Sequence, residues 1–555
     1  MNLRANKIDF QSWVTILILF SLVVYAAGIF ITLMEPDAAV YADISMEMAK
    51  NNNFSEIKLK GLDWLDKPHF QFWISAIFIK VFGINNLGYK LPAILFSLLA
   101  AYYVYLFGKR FYSAKHGIIA AIFMLTAEHI IISNNDVRAE PYLTCFTIFS
   151  LYYFAVYLEG KKMAHLILGS FGLAVLLMTK GLFSILPVAS GIGLALIQKK
   201  KWKEILSWQW LLVICLTLLM ISPTVIAYYF QFDAHPEKEI FGSKGVSGIK
   251  FFFWDSQWGR FTNTGPIKGH GDPFFFFHTM LWAFAPWALL AYTGIFLKIK
   301  YIINGKNTYE SYTVFGFIFT FIIFSLSSFQ LPHYMNQLFP YLAVLTAFVL
   351  LDRSRDYRFL RIHDILMMVI SIIFIVLVVL LHLFYFNNIP HIDVVLVLLA
   401  GITASAYFIV HNRTLIKRVI IPPAIIILSV NYYLNRQFYP DLLRYQSESE
   451  LAFYMMDEQL PADKLVIFEK LQWSTQFYLK RIIPSVTEGE LSRIKLNGLL
   501  VFTDKEGLEK LDKYGYTLKT IKEFKDFHVT GLSIKFINSS TRESTLTKTY
   551  LVSVQ

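Results

Sequence analysis

Charge is scarce in this sequence. Asp, Glu, Lys and Arg together make up 16% of its 555 residues, against about 25% in ordinary soluble domains. Cysteine is scarcer: there are only Cys145 and Cys215. Both lie inside apolar runs and read as small core residues. No internal repeat or low-complexity tract is found. These shortages exclude a secreted disulfide scaffold, a disordered tail protein and a typical cytosolic enzyme. What fills the space is apolar. Hydrophobic residues reach 56% and aromatics 17%, with 51 Phe, and the mean hydropathy is +0.50. That is the composition of a polytopic helical membrane protein. The formal charge of +12 does not indicate nucleic acid, because the basic residues fall in short clusters between apolar spans.

A bilayer core of about 30 Å needs about 20 apolar residues in a helix. Runs near that length lie at 13–33, 91–107, 117–133, 141–158, 166–178, 182–197 and 210–230. Others follow at 274–297, 312–329, 334–351, 365–386, 394–410 and 419–434. The sequence thus predicts about thirteen transmembrane helices. The run from Phe70 to Phe82 is about 13 residues, or roughly 20 Å as a helix, and reads as interfacial or re-entrant.

Charge supports leaving that run out. One side of the membrane then receives Arg4, Lys7, Lys109, Arg110, Lys115, Lys161, Lys162 and Lys199 to Lys203. It also receives Lys298, Lys300, Lys306, the Arg353 to Arg361 cluster, Arg413, Lys417 and Arg418. The short loops of the other side carry little that is basic beyond Arg138 and Lys180. The positive-inside rule places the N-terminus in the cytoplasm and the residues after the last span outside. Trp13 lies within the first span and no small-residue cleavage site follows, so a retained first helix is expected.

The outer face collects two long loops, 34–90 and 231–273, and the segment 435–555, whose composition is that of a soluble domain. In that segment 465–469, 498–503 and 532–537 read as strands, and 504–514 as a helix. Thr503 is the expected N-cap, with Glu506 three residues on as in a capping box. The expectation is a membrane domain over 1–434 and a small α/β outer domain over 435–555.

Four clusters on that face carry chemistry. Glu35-Pro36-Asp37 ends the first span, and Tyr41, Asp43 and Glu47 follow it. Residues 38–50 read as an amphipathic helix on the membrane, which would hold Asp37 at an entrance. A carboxylate there could equally mark the water boundary. Asp66-Lys67-Pro68 precedes the short apolar run, and Lys67 suits a lipid phosphate, or simply snorkels beside an aromatic belt. Asp136, Arg138 and Glu140 crowd one turn between spans, where charge is costly unless paired or set in a wet cavity. The fourth loop holds Trp254-Asp255-Ser256-Gln257-Trp258-Gly259-Arg260-Phe261, with His270 and Asp272 beyond. Arg is the preferred bidentate phosphate ligand. The turn Leu331-Pro332-His333-Tyr334 would face the same cavity.

Taken in order, these motifs resemble the bacterial aminoarabinose lipid A transferases and the protein O-mannosyltransferase superfamily. Those are polyprenyl-phosphate-sugar glycosyltransferases of the GT-C fold. The resemblance covers roughly the first 350 residues. Its other pieces are Phe82-Gly83, Lys90-Leu91-Pro92, Glu140-Pro141, Thr179-Lys180-Gly181 and Pro340. It implies that Asp37 is the catalytic carboxylate and Glu140 a second acid. It implies that Lys67, Arg260 and Tyr334 hold the polyprenyl phosphate, with Tyr41, Asp136, Arg138 and Lys180 completing the cavity. Asp66 resembles an acid that helps bind a divalent metal. Asp255 stands where the aminoarabinose enzymes have a metal-binding His, a departure from their pattern; no other cofactor is implied.

The function so implied is inverting transfer of a sugar from a polyprenyl-phosphate donor to a lipid, glycan or protein acceptor. It would occur on the outer face of the bacterial cytoplasmic membrane, by a monomer. The chemistry asks for a base near the acceptor and cations on the leaving phosphate. The rival is a secondary transporter or lipid flippase, which would show paired repeats and ionisable groups at midplane. A structural membrane protein would leave the outer acids unexplained.

Overall fold

The computed structural model describes residues 10–264, 268–306, 308–470, 473–491 and 494–555, with Arg260 described by its backbone alone. The basic pair Arg4 and Lys7 lies outside the described residues. Each of the thirteen apolar runs becomes a helix or a pair of helices. Among the described residues nine helices are long and apolar enough to cross a membrane unaided. A tenth span arises if Ala114–Leu125 and Glu128–Asn135, bent by 52° at their junction, count as one. Leu182–Gln198 and Tyr312–Ser325 are shorter apolar helices, and Phe275–Ala283 with Ala288–Ile303 forms a broken pair. The protein is a multi-pass membrane protein.

The helices that matter for the site are α1 (Phe10–Ile29), α2 (Asp37–Asn51), α3 (Phe70–Phe82), α4 (Asn86–Phe111), α5 (Ala114–Leu125), α6 (Glu128–Asn135), α7 (Glu140–Gly160) and α8 (Met163–Lys180). The short run kept apart in the sequence is α3, 13 residues long. Burial separates the helices into two populations. The span Pro332–Asp352 is 89% buried and α7 is 83% buried, whereas Tyr357–Tyr385 is 11% and Ile392–His411 is 22% buried. The former two form the protein core, and the latter two offer their apolar surface to lipid. The residues of interest sit at the ends of the two best-packed helices. That is where a rigid scaffold holds side chains most precisely.

Small residues let helices approach. A Cβ on Gly117 of α5 would lie 2.3 Å from the Tyr105 carbonyl oxygen of α4, and one on Gly108 would lie 2.6 Å from the Gly117 Cα. The end of α1 is fixed by polar groups instead. Lys90, buried on α4, donates to the carbonyls of Gly28 at 3.2 Å and Ile31 at 2.6 Å. Asn86 donates to the Ile31 carbonyl at 3.0 Å. A cation on the carbonyls at a helix C-terminus adds hydrogen bonds and suits the helix dipole. This explains the Lys90-Leu91-Pro92 motif: Lys90 sets where the chain leaves α1 toward Asp37.

Helix α2 corrects an expectation. It forms where the sequence places a helix, but it is not amphipathic on a membrane surface. Every residue from Ala38 to Ala49 is buried. It is enclosed by α3, by the first outer loop and by the C-terminal region. Its polar residues are therefore partnered inside protein. Glu47 accepts from the Lys60 and Gly61 backbone amides of the hairpin that follows. The two long loops are tied together by Gln231, which donates to the Ile57 carbonyl at 2.9 Å and to Asp63 at 3.0 Å. Lys238 adds an ion pair to Asp63 at 2.8 Å.

The C-terminal region builds a five-stranded sheet. Its order is Ser485–Val486, Leu465–Phe468, Leu500–Asp504, Thr547–Val554, Leu518–Asp526. The first three strands are parallel, and the last two join antiparallel. Helix Lys505–Lys513 follows the third of these in chain order. Its N-cap is Asp504, accepting from the Gly507 amide, and not Thr503, which lies in the strand and donates to the Phe468 carbonyl. Segment 532–537 is not a strand. Ser533 caps a short helix, Ile534–Ile537, by accepting from the Phe536 amide. Cys215 is exposed on the helix Gln209–Tyr228 and is no core residue, whereas Cys145 is buried.

Candidate active site

The site begins where α1 hands over to α2. Asp37 is the first residue of α2, where the helix dipole favours a carboxylate. Arg138, in the turn between α6 and α7, donates to Asp37 Oδ2 at 2.6 Å. The same guanidinium holds Asp136 Oδ2, through Nε at 3.0 Å and Nη2 at 2.8 Å. Charge in this turn is thus paired, as its depth requires. The turn itself is pinned by the Tyr89 hydroxyl, which donates to the Val137 carbonyl at 2.9 Å. The Asp37 side chain keeps 41% of its surface exposed, against 17% for Arg138, so the carboxylate stays accessible.

Two residues beyond Arg138, Glu140 opens α7 with Pro141 behind it. Glu140 is nearly enclosed, and Lys180 at the end of α8 donates to it at 2.8 Å. Gly181 follows with φ +86°, which ends α8 and leaves room for Gln257 where a Cβ would collide. His333 lies 3.7 Å from the same Glu140 oxygen. The Lys180 ammonium sits 4.0 Å from the centre of the Tyr334 ring, a cation–π contact.

From Lys180 and Tyr334 a cleft with about 80 Å³ of free space runs between helices. Phe183, Phe261, Ile323, Phe324 and Phe329 form its apolar wall, and Ser184, Ser256, Gln257, Ser327 and Gln337 its polar part. One line of groups therefore leads from the open carboxylate Asp37, through Arg138, to Glu140, Lys180, Tyr334 and the cleft. Tyr41 is buried beside this line. Burial pushes its phenol pKa well up, and the charges of Asp37 and Asp66 add to the effect. Asp66 and Lys67 form their own ion pair at 2.8 Å and are mostly enclosed.

The structure brings together Asp37, Asp136 and Arg138, and likewise Glu140, Lys180 and Tyr334, with Tyr41 and Asp66 close to Asp37. It does not bring Asp255 to them. Asp255 pairs with Lys250 at 3.5 Å and lines a separate groove with Trp254 and Trp258. The side chain of Arg260 lies outside the described residues; its backbone belongs to the helix Ser256–Thr262. Among the described residues no three His, Cys, Asp or Glu side chains gather as a metal site. Asp66 lies on Lys67, and Asp255, the position that departs from the aminoarabinose pattern, lies on Lys250. His333, placed by the sequence in a turn facing the cavity but given no role there, lies beside Glu140. The aromatic wall of Phe183, Phe324 and Phe329 was missed, because Phe in an apolar run gives no sign of facing a cleft.

Next to the site, Glu35 is half-buried against the C-terminal region. Burial pushes its carboxyl up to about 7; Ser474 opposes the shift and Asp526 adds to it. Burial also raises Glu448, helped by the charge of Glu35. Both carboxyls therefore bind protons more tightly folded than unfolded. The contribution of Glu35 is complete below its unfolded pKa of about 4.3 and is lost as pH rises through about 7; that of Glu448 is lost in the same direction. The melting temperature in detergent is expected to fall between pH 5 and pH 8, and Glu35→Gln should flatten that slope. An unchanged slope in the variant would contradict the burial of Glu35.

The fold places the molecule in a class. It is a multi-pass helical membrane protein with a C-terminal α/β region. Within that class it resembles the aminoarabinose transferases. ArnT from Cupriavidus metallidurans bound to undecaprenyl phosphate superposes with a TM-score of 0.76 over 98% of both chains, at 16% identity. An oligosaccharyltransferase from Archaeoglobus fulgidus superposes with a TM-score of 0.52, over 86% of this chain and 65% of its own, at 12% identity. In sequence, residues 66–227 match the family model of dolichyl-phosphate-mannose-protein mannosyltransferase. An undecaprenyl phosphate-α-4-amino-4-deoxy-L-arabinose arabinosyl transferase of Wigglesworthia glossinidia brevipalpis is 26% identical over 62% of this chain and 59% of its own. An uncharacterized protein of Aquifex aeolicus is 25% identical over 58% and 60%. The chain thus spans about 60% of the length of these relatives.

Proposed function

We propose that the protein is a membrane glycosyltransferase that moves a sugar from a polyprenyl-phosphate donor to a lipid, glycan or protein acceptor. The observation that carries this reading is the continuous line from Asp37 to the Lys180–Tyr334 mouth of an apolar cleft. A lipid-linked sugar needs those parts in that order. The isoprenoid lies in the aromatic cleft, and its phosphate sits at the cleft mouth near Lys180. The sugar extends toward Asp37, where the acceptor hydroxyl or amine enters from outside.

Asp37 takes the acceptor proton as its oxygen or nitrogen attacks the anomeric carbon. The bond from that carbon to the phosphate oxygen breaks, and Lys180, with Lys67 and Arg260, stabilises the departing phosphate. A single displacement inverts the anomeric centre. Glu140 holds Lys180 in place rather than touching the sugar. The site faces the outer side of the cytoplasmic membrane. Residues 1–434 carry the transfer, and 435–555 form an outer α/β unit.

The test supplies purified protein with a synthetic short-chain polyprenyl-phosphate sugar and follows release of free polyprenyl phosphate against glycosylated acceptor. Release that depends on acceptor supports the reading; movement of donor across vesicles without release favours a flippase. Lys67→Ala and Arg260→Ala are each expected to raise the donor KM roughly tenfold, the loss of about one charge-assisted hydrogen bond. Unchanged donor KM in both would remove these two residues from phosphate binding.

A further inference from the structure

Residues 30–36 connect α1 to Asp37, the residue that opens α2, and 33–35 are the middle of that tether. Side chains from the C-terminal region hold that tether on both of its polar edges. Gln446 accepts from the Glu35 amide at 3.0 Å and donates to the Leu33 carbonyl at 2.9 Å. The Tyr478 hydroxyl accepts from the Leu33 amide at 2.8 Å and donates to Asn86 at 3.1 Å. Ser474 donates to the Glu35 carboxylate. Just beyond, Gln476 donates to Asp43 of α2 at 3.2 Å. Helix Thr475–Leu479 packs directly on α2. Gln446 and Ser474 are buried, so these bonds are shielded from competing water.

A side-chain amide that both accepts from and donates to one stretch of backbone fixes its path as a neighbouring strand would. Nothing in the packing of the apolar core requires such polar contacts. A loop that merely connected two helices would be served by water. The contacts fall two residues before the carboxylate that meets Arg138. A misplacement of about 1 Å at such a group can cost about 10²-fold in rate.

We infer that the C-terminal region positions Asp37, with Gln446, Ser474 and Tyr478 as positioning residues that clamp residues 33–35. The inference rests on the glycosyltransferase reading for its catalytic consequence. The clamp itself does not depend on that reading. The region is then a working part of the site and no mere appendage. Its removal would leave α1 to α8 in place and their carboxylate misaligned.

The experiment pairs kinetics with hydrogen exchange on the full-length protein in detergent or nanodiscs. The variants are Gln446→Ala, Ser474→Ala and Tyr478→Phe, with Ser474→Thr as the conservative control. Amides of residues 30–40 should exchange at least tenfold faster in Gln446→Ala and Tyr478→Phe, while those of α7 stay as in the parent. In the transfer assay kcat should fall at least tenfold with donor KM changed less than twofold. Ser474→Thr, which keeps the hydroxyl, should restore kcat that Ser474→Ala loses. A general loss of folding would instead speed exchange in α7 too and move KM with kcat, and that result overturns the proposal. Unchanged exchange at 30–40 overturns it as well, as does faster exchange there with unchanged kcat. If the parent protein transfers no sugar from any polyprenyl donor, the glycosyltransferase reading fails, together with the catalytic half of the inference. The exchange measurements then decide the clamp alone.

Discussion

Asp37→Asn is expected to lower sugar transfer by roughly 10²–10⁴-fold, the usual contribution of a positioned general base. The substitution is isosteric, and the amide cannot take a proton. Its local structural cost is small, because Arg138 retains Asp136 through two nitrogens and the turn keeps its bond to Tyr89. The donor cleft at Lys180 and Tyr334 is built from other helices. Binding of polyprenyl phosphate to Asp37→Asn should therefore match the parent within twofold while product formation disappears. Full turnover in this variant would remove Asp37 from the chemistry. Loss of donor binding along with turnover would mean that Asp37 is structural.

Lys180→Met has two expected effects that a double variant separates. Lys180 is the main partner of Glu140, whose side chain is 3% exposed. Leaving that carboxylate without its ammonium should destabilise the fold by about 3–5 kcal/mol, since His333 at 3.7 Å is a weak substitute. Adding Glu140→Gln removes the stranded charge and should recover most of the stability. It should not recover donor use, because the cation at the cleft mouth is still missing. Thermal melts measure the first effect and donor KM the second. A double variant with parental donor KM would show that Lys180 serves the fold alone.

Much of this architecture is legible in the sequence, because hydropathy and charge act locally along the chain. Run length found the thirteen apolar segments and kept α3 apart, and the crowding of Asp136, Arg138 and Glu140 marked the turn that became the site. Partnerships across space were not legible. Arg138 meets Asp37 over 101 positions and Lys180 meets Glu140 over 40, and nothing local in the sequence reports such pairings. Helix α2 was misjudged for the same reason. Asp43 and Glu47 look like a wet face until the C-terminal region and a hairpin cover them. The strands Leu518–Asp526 and Thr547–Val554 were overlooked because their many lysines and threonines read as loop. Leu518–Asp526 is the exposed edge of the sheet, and Thr547–Val554 lies inside it with half of its residues buried. Segment 532–537 alternates like a strand, yet one serine cap turns it into a helix.

The bend between α5 and α6 has a mechanical meaning. Because α6 departs by 52°, it hangs sideways from its neighbours rather than standing on the column below. Asn431 grips Glu128 at 2.6 Å, Asn336 the His129 carbonyl at 3.2 Å, Ser97 grips Asn134 at 2.8 Å, and Asn435 grips Asn135 at 2.8 Å. These four guy-ropes come from three different spans, and they decide where Arg138 stands. A shift of the last span, which carries Asn431 and Asn435, would therefore reach α6 and the turn beyond it.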